Sequence, residues 1–328
     1  MSEIAAATIV AKNRIALARV LADSFRRRHP EVPFFVLLAD EVDGYFAPEA
    51  ERFELLRLAE VGIPDLPRFC SRYSRQELTY ASTPFVLEHL LDRGFARVAF
   101  FKQESLVIGD LTPVLDLMRK HPILLTPHLL EPPEGGAQIR RERNILQSGV
   151  YNVGFLGVSA TPTARSFLSW WGDRLREHCR HDVPRGLHFE QRWLDLVPGF
   201  FEGVGIVRDP GFGVGHWNLP DRDVIVRGDL VTVDGHAGRF VRFSGFDPDR
   251  PGRVTRYSSR LDMAEVGGAG ELFRRYAALL GEAGYQETKS WPFAYHRVAN
   301  DLRSLARRAR PLRRARATVS RVLRAIRE

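Results

Sequence analysis

TPFVLEHLLDRGFARVAFFKQESLVIGDL (residues 83–111) is the stretch that decides the fold. Thr83 can cap a helix, and Pro84 suits a first helical turn, where no backbone N–H is needed. Phe85, Val86, Leu90 and Leu91 then return at helical spacing until Gly94, a C-terminal stop. RVAFF (97–101) follows as a short apolar run, read as a buried strand, and Lys102 opens the loop beyond it. The same alternation extends towards the N-terminus. ATIVA (7–11) is a strand, Asn13 a helix cap, and Leu17, Ala18, Leu21 and Phe25 share a helical face that Pro30 closes. PFFVLL (33–38) is a second buried strand running into Ala39-Asp40, and ILLTP (123–127) another. Strands alternating with helices predict an α/β fold with a mixed, mostly parallel sheet flanked by helices. Ligands of such sheets sit beyond the carboxyl ends of the strands, which nominates the loops after Ala11, Asp40 and Phe101.

The second half reads as less regular. YNVGFLGVS (151–159) predicts a strand, and Thr161-Pro162 opens a helix carrying Phe167, Leu168, Trp171 and Leu175. HFEQRWLDLV (188–197) predicts a short amphipathic helix, and DVIVRG (223–228) and RFVRFSG (239–245) two further strands. A glycine-rich break at 267–270 precedes a helix to about residue 283.

Composition narrows the class. With 44% hydrophobic and 27% charged residues the chain is of ordinary globular make-up, and 328 residues bury a core without disulfide staples. Cys70 and Cys179 are far apart and lack metal-ligand spacing, which points to reduced thiols in a cytoplasmic protein. No basic segment followed by an apolar stretch opens the chain, so no signal peptide is expected, and no apolar run reaches the roughly 20 residues that span a bilayer. The net charge of +8 is uneven: residues 303–328 hold ten arginines and one acid, a charge of +9, which leaves the remaining 302 residues at −1. A nucleic-acid-binding domain carries its basicity on the folded body, so nucleic acid is not an expected partner. The chain is divided into a domain at 1–300 and a basic amphipathic tail at 301–328, where Leu305, Leu312, Val319 and Ile326 recur every seven residues. Such a tail suits either peripheral attachment to an anionic membrane, at its inner face, or a solvated terminus.

Seven segments in order carry a resemblance: TIVAKN, FFKQESLVIGDL, LLTPHLLEP, SGVYNVGFLGV, HFEQRWLDLVP, DPGFGVGHWNL and FVRFSGFDP. Together they make most of residues 7–300 resemble bacterial glycosyltransferases of the GT-A fold, related to glycosyltransferase family 8. The resemblance implies a Rossmann-like nucleotide-diphospho-sugar transferase fold. It also implies transfer of a sugar from a nucleotide-sugar donor to a glycan, lipid-linked or small-molecule acceptor, with retained anomeric configuration, as in polysaccharide biosynthesis. The chain departs from the family at its metal. Where the family has Asp-x-Asp this sequence has Lys102-Gln103-Glu104, and where a histidine precedes Phe-Ser-Gly it has Arg242. Thr83 stands where related chains often have lysine. Fixed cations bind phosphate rather than metal. The expectation is therefore a degenerate metal motif and no cofactor, with manganese or magnesium held through Glu104 left open. A catalytically inactive binding or scaffold module is the alternative.

By the same resemblance, Ala11, Lys12, Asn13, Thr83, Lys102, Gln103, Glu104, Arg242, Ser244 and Gly245 line the donor nucleotide. Glu190, Gln191 and Asn152 fall near the reacting sugar, with Glu190 the first choice as base, nucleophile or cation stabiliser. His128, His216, Trp217 and Asn218 line the acceptor or sugar pocket. Plainer readings stand beside these. Asn13 also fits a helix cap, Asp40 a turn, Glu104 an ion-pair partner of Lys102 or Arg242, His128 a turn or core histidine, and Trp217 a core position.

Overall fold

The structure is a computed structural model that describes residues 3–258 and 261–295. The basic segment 301–328 and the boundary at residue 300 lie outside the described residues. Seven strands form the central sheet: β1 Ile4–Val10, β2 Phe34–Leu38, β3 Glu54–Arg57, β4 Arg97–Phe101, β6 Ile123–Pro127, β7 Tyr151–Ser159 and β10 Gly205–Ile206, in the order β10-β6-β7-β4-β1-β2-β3. All neighbouring pairs are parallel except those of β7, which runs antiparallel between β4 and β6. The sheet is thus mixed and mostly parallel, as expected. A smaller sheet joins β11 Phe212–Val214, β15 Phe240–Arg242 and β5 Ser105–Val107. A three-stranded antiparallel meander (β12 Val224–Arg227, β13 Leu230–Val233, β14 His236–Ala237) and a short pair (β8 His181–Asp182, β9 Leu187–His188) complete the strands.

Alternation along the strands explains why they read as unbroken apolar runs. Ala5, Ala7 and Ile9 of β1, with Phe35, Leu37, Val98 and Phe100, face helices Leu66–Arg72, Arg75–Ala81, Thr83–Asp92 and Pro162–Leu175. Ala6, Val10, Phe34, Val36, Leu38, Ala99 and Phe101 face the other way, against helices Ile15–Arg28 and Thr112–Leu117. Both sheet faces are covered, so both residue parities are apolar. A third apolar cluster sits between helix Ile15–Arg28, helix Ala269–Glu282 and the small sheets. Among the described residues no helix is long and apolar enough to cross a membrane.

Several local expectations shift. Asn13 caps nothing: it lies inside the 3₁₀ turn Lys12–Arg14, and the helix that follows has no side-chain cap. Thr83 is the first residue of its helix, 1% exposed, and its hydroxyl donates to the Tyr80 carbonyl at 2.8 Å. That bond staples the junction between helices Arg75–Ala81 and Thr83–Asp92. The stretch read as a helix over 188–197 is a 3₁₀ helix, Gln191–Leu196, followed by the short helix Val197–Phe200. Thr161 does cap its helix, accepting from the Ala164 amide at 3.2 Å.

Candidate active site

The parallel register brings the ends of β1, β2 and β4 to one sheet edge, and antiparallel β7 brings its beginning there too. Lys102 leaves β4 with its amide bonded to the Gly154 carbonyl at 3.0 Å. Its ammonium is paired with the Glu190 carboxylate, both side chains buried, and sits 3.4 Å from the centre of the Tyr80 ring. Burial pushes the Lys102 ammonium below its ordinary value, and Arg242 adds to this, while Glu190 opposes it. Backbone strain fixes Glu190: Phe189 before it has φ +52°, a left-handed conformation costly for an aromatic residue. The Glu190 carbonyl accepts from the Trp171 indole at 3.2 Å, and the Phe189 ring packs edge-on against Tyr80.

Arg242 reaches the same place from the smaller sheet. It pairs with Ser105 across β5, and the amide after it, Phe243, donates to the Glu104 carbonyl at 2.8 Å. The guanidinium is buried, with Nη2 4.0 Å from Glu104, while Nε and Nη1 have no partner among the described residues. Its stem crosses β7 at Gly154, where a Cβ would stand 2.8 Å from Arg242 Cδ and 2.5 Å from Asn152 Oδ1. Only glycine admits the arginine there. Gly245, at φ +76°, plays the same part for Tyr257, whose ring would lie 2.6 Å from an added Cβ. Ser244 contributes its carbonyl to the Thr255 hydroxyl at 2.9 Å. Gln103 is buried next to Lys102.

The expected acceptor or sugar residues form a chain of contacts. Asn152 accepts from the Gly154 amide at 2.6 Å and donates to His128 Nε2 at 2.9 Å, while His128 Nδ1 donates to the Val150 carbonyl at 3.1 Å. That pattern is the tautomer of a neutral ring, and burial pushes the His128 imidazolium down to about 3. His128 packs edge-on against Trp217, and His216 against both Trp217 and Tyr257. Asn218 ties the loop together by donating to the carbonyls of His128 and Gly213. Burial holds His216 down at about 4, with Arg242 adding to the effect.

Two nominated residues, Lys12 and Gln191, have their polar groups engaged by neighbouring residues, and Asp40 is the turn residue it was read as. Lys12 is wholly buried, with its ammonium on Asp40, Asp43 and the Glu41 carbonyl rather than at the end of β4. Asp40 also accepts from the amides of Glu41 and Ala294, so it holds a loop junction. Gln191 spends its amide on the backbone, donating to the Ser148 carbonyl at 2.9 Å and accepting from Val153 N at 3.2 Å. It braces β7 instead of facing a reacting atom. Asn13, by contrast, gains interest: its carboxamide oxygen is buried without a partner. Ala11 supplies the carbonyl that closes this turn onto Arg14 N at 2.8 Å.

Sequence reasoning missed Tyr80, His188, Arg256 and Tyr257. His188 lies just upstream of Glu190 with Nδ1 buried and unpaired, and burial holds it at about 4, with His181 and Lys102 adding to the effect. Its closeness to Glu190 in HFEQ was an available signal. Arg256 donates to the Tyr257 hydroxyl at 3.0 Å on a loop without periodicity, which gave none.

A divalent cation, which the resembled family uses here, does not fit these donors. The positions of its ligands carry Lys102 and Arg242, and the remaining carboxylate, Glu104, already faces a guanidinium. Among the described residues no three His, Cys, Asp or Glu side chains come together as a ligand set. What the cluster suits is an anion: a guanidinium with two unpartnered nitrogens, three N–H groups in all, beside a second cation offers directional contacts to phosphate oxygens.

No family model matches the chain. The Bacillus subtilis (strain 168) protein YfnF, described as uncharacterized, is 25% identical over 246 residues, which is 73% of this chain and 80% of that protein. Among solved structures, the galactosyltransferase LgtC in complex with donor and acceptor sugar analogues is similar at TM-score 0.48 and 15% identity, over 85% of this chain and 95% of that one. The glycosyltransferase GlyE of Streptococcus pneumoniae TIGR4 is similar at TM-score 0.48 and 13% identity, over 89% and 66%.

Proposed function

We propose that this protein is a glycosyltransferase that uses a nucleotide-diphospho-sugar donor and stabilises the leaving diphosphate with Lys102 and Arg242 in place of a divalent metal. The observation that carries the reading is the buried Arg242 guanidinium, unpartnered at Nε and Nη1, converging with Lys102 beyond the carboxyl end of β4. When the bond between sugar and diphosphate breaks, negative charge grows on the leaving phosphate oxygen, and catalysis needs preorganised positive charge at that point. A cation about 4 Å from that oxygen supplies roughly 4 kcal/mol at an effective dielectric near 20. Lys102 would divide itself between the phosphate and Glu190. Glu190, with Oε2 buried and unpartnered, is then the carboxylate nearest the positive charge that develops on the sugar. Asn13 Oδ1, at the end of β1, is the free acceptor for the nucleoside. The acceptor, a glycan, lipid-linked or small-molecule hydroxyl compound, approaches past His128, His216, Trp217 and Asn218.

The test is a thermal-shift titration with UDP, GDP, dTDP, ADP and CMP, each with EDTA and with excess manganese, because a ligand of the folded state alone raises its melting temperature. Stabilisation by one nucleoside diphosphate that survives EDTA is the expected result, followed by turnover of the matching nucleotide sugar. A shift that requires manganese rejects the metal-free scheme. A second reading, a binding module without catalysis, is favoured by the neutralisation of Glu190 by Lys102. It predicts nucleotide binding with no turnover of any nucleotide sugar.

A further inference from the structure

We propose that helix Gln138–Ser148, with Val150, Leu196 and Phe200, forms a docking face that seats the molecule on an anionic lipid surface. Of the nine large apolar side chains exposed among the described residues, five lie here: Ile139, Leu146, Val150, Leu196 and Phe200. The two segments that carry them touch. Val150 N donates to the Asp195 carboxylate at 2.7 Å, and Gly149 lies against Arg192 and Asp195.

The helix itself is inverted relative to an ordinary surface helix, which turns its apolar side inward. None of its eleven residues is buried, and Ile139 and Leu146, two turns apart on one side, are 63% and 57% exposed. Arg140 and Arg143 stand exposed beside them with no ion-pair partner among the described residues. Arg141 is taken by Asp221, which it meets at 2.6 Å, and Glu142, the helix's one acid, stands on the side of Ile139 and Leu146, so Arg140 and Arg143 leave this face one positive charge in excess. Apolar side chains flanked by unpaired arginines match the interface between acyl chains and anionic headgroups, where apolar area and charge both contribute.

The face also borders the candidate site. The helix stands on the excursion between β6 and β7, whose base is closed by the His128 amide on the Val150 carbonyl at 3.0 Å. Arg141 spans from this helix to the Trp217 carbonyl at 3.2 Å. A substrate presented at the lipid surface would therefore meet the His128–Trp217 cluster without the molecule leaving the membrane. The proposal stands apart from the transfer reading, because its readout is vesicle binding.

The test uses the full chain carrying Leu146→Cys labelled with an environment-sensitive fluorophore. Cys70 and Cys179 are buried, so the label goes to position 146. With phosphatidylglycerol–phosphatidylcholine vesicles we expect a blue shift and protection from iodide quenching, and no change for the same label at Ile225→Cys. The double change Ile139→Asp/Leu146→Asp, made at exposed sites, should lower vesicle partitioning roughly tenfold or more, and still do so in about 0.5 M salt, where distant charges are screened. Failure to bind vesicles overturns the proposal. So does vesicle binding with an unshifted label at 146, which would assign attachment to another segment. A label shift that follows protein concentration without vesicles would overturn it in favour of self-association.

Discussion

Replacing Lys102 by Met tests the centre of the site. The change deletes the only cation paired with Glu190 among the described residues and leaves a carboxylate at 1% exposure. It also removes the ammonium over the Tyr80 ring. Breaking one side of a buried ion pair costs about 3–5 kcal/mol, because the remaining charge has lost its partner but not its burial. For a chain of 328 residues, at about 2.1 cal/mol/K of unfolding entropy per residue, each kcal/mol lowers the melting temperature by about 1.5 °C, so a fall of roughly 4–8 °C is expected. Adding Glu190→Gln removes the stranded charge, and the double variant should recover most of the loss, as a denaturation cycle over the four proteins would measure. A single variant as stable as the parent, or a double no better than the single, would refute a buried Lys102–Glu190 pair.

Four further outcomes follow. Gly154→Ala places a Cβ against Arg242 and Asn152 and should cost about 1–3 kcal/mol by overpacking, with weaker nucleoside-diphosphate binding by calorimetry. Gln191→Ala strands the Ser148 carbonyl and Val153 amide and should lose about 1–3 kcal/mol in urea unfolding, with nucleotide affinity unchanged. Asn13→Ala should leave the melting temperature within about 1 °C, since the side chain caps nothing, and lower nucleotide affinity. His128, held down at about 3, binds its proton in the unfolded chain first. Its contribution to stability is therefore full above about pH 6.5 and falls towards pH 3 by up to about 1.4 kcal/mol per pH unit, a slope that His128→Gln should remove from the stability profile.

Strands 97–101, 123–127 and 151–159 were legible to the residue, because a strand covered on both faces is apolar at most positions, with Arg97, Thr126, Asn152 and Ser159 the polar exceptions. The helix from Thr83 to Asp92 was legible from its Pro84 and Gly94 punctuation. The strand Glu54–Arg57 was not, since an edge strand of four residues, two leucines between charges, carries too little pattern. Helices Leu66–Arg72 and Arg75–Ala81, seven residues each, were missed for the same reason of length.

Which residue types lie near the site was written in the chain: Lys102, Glu104, Glu190 and Arg242 occupy motif-like positions flanked by strands or turns. Their partners were not. Lys102 and Glu190 are 88 residues apart, and nothing local distinguishes Lys102, which enters the site, from Lys12, which is captured by Asp40 and Asp43. Local propensity and periodicity are fixed by neighbours in the chain, so they determined the strands, the main helices and the sheet edge where charge gathers. Pairing depends on distances between segments. The antiparallel insertion of β7, the glycine gap at 154 and the left-handed turn at Phe189 decided which charges meet, because only the packed sheet sets those separations.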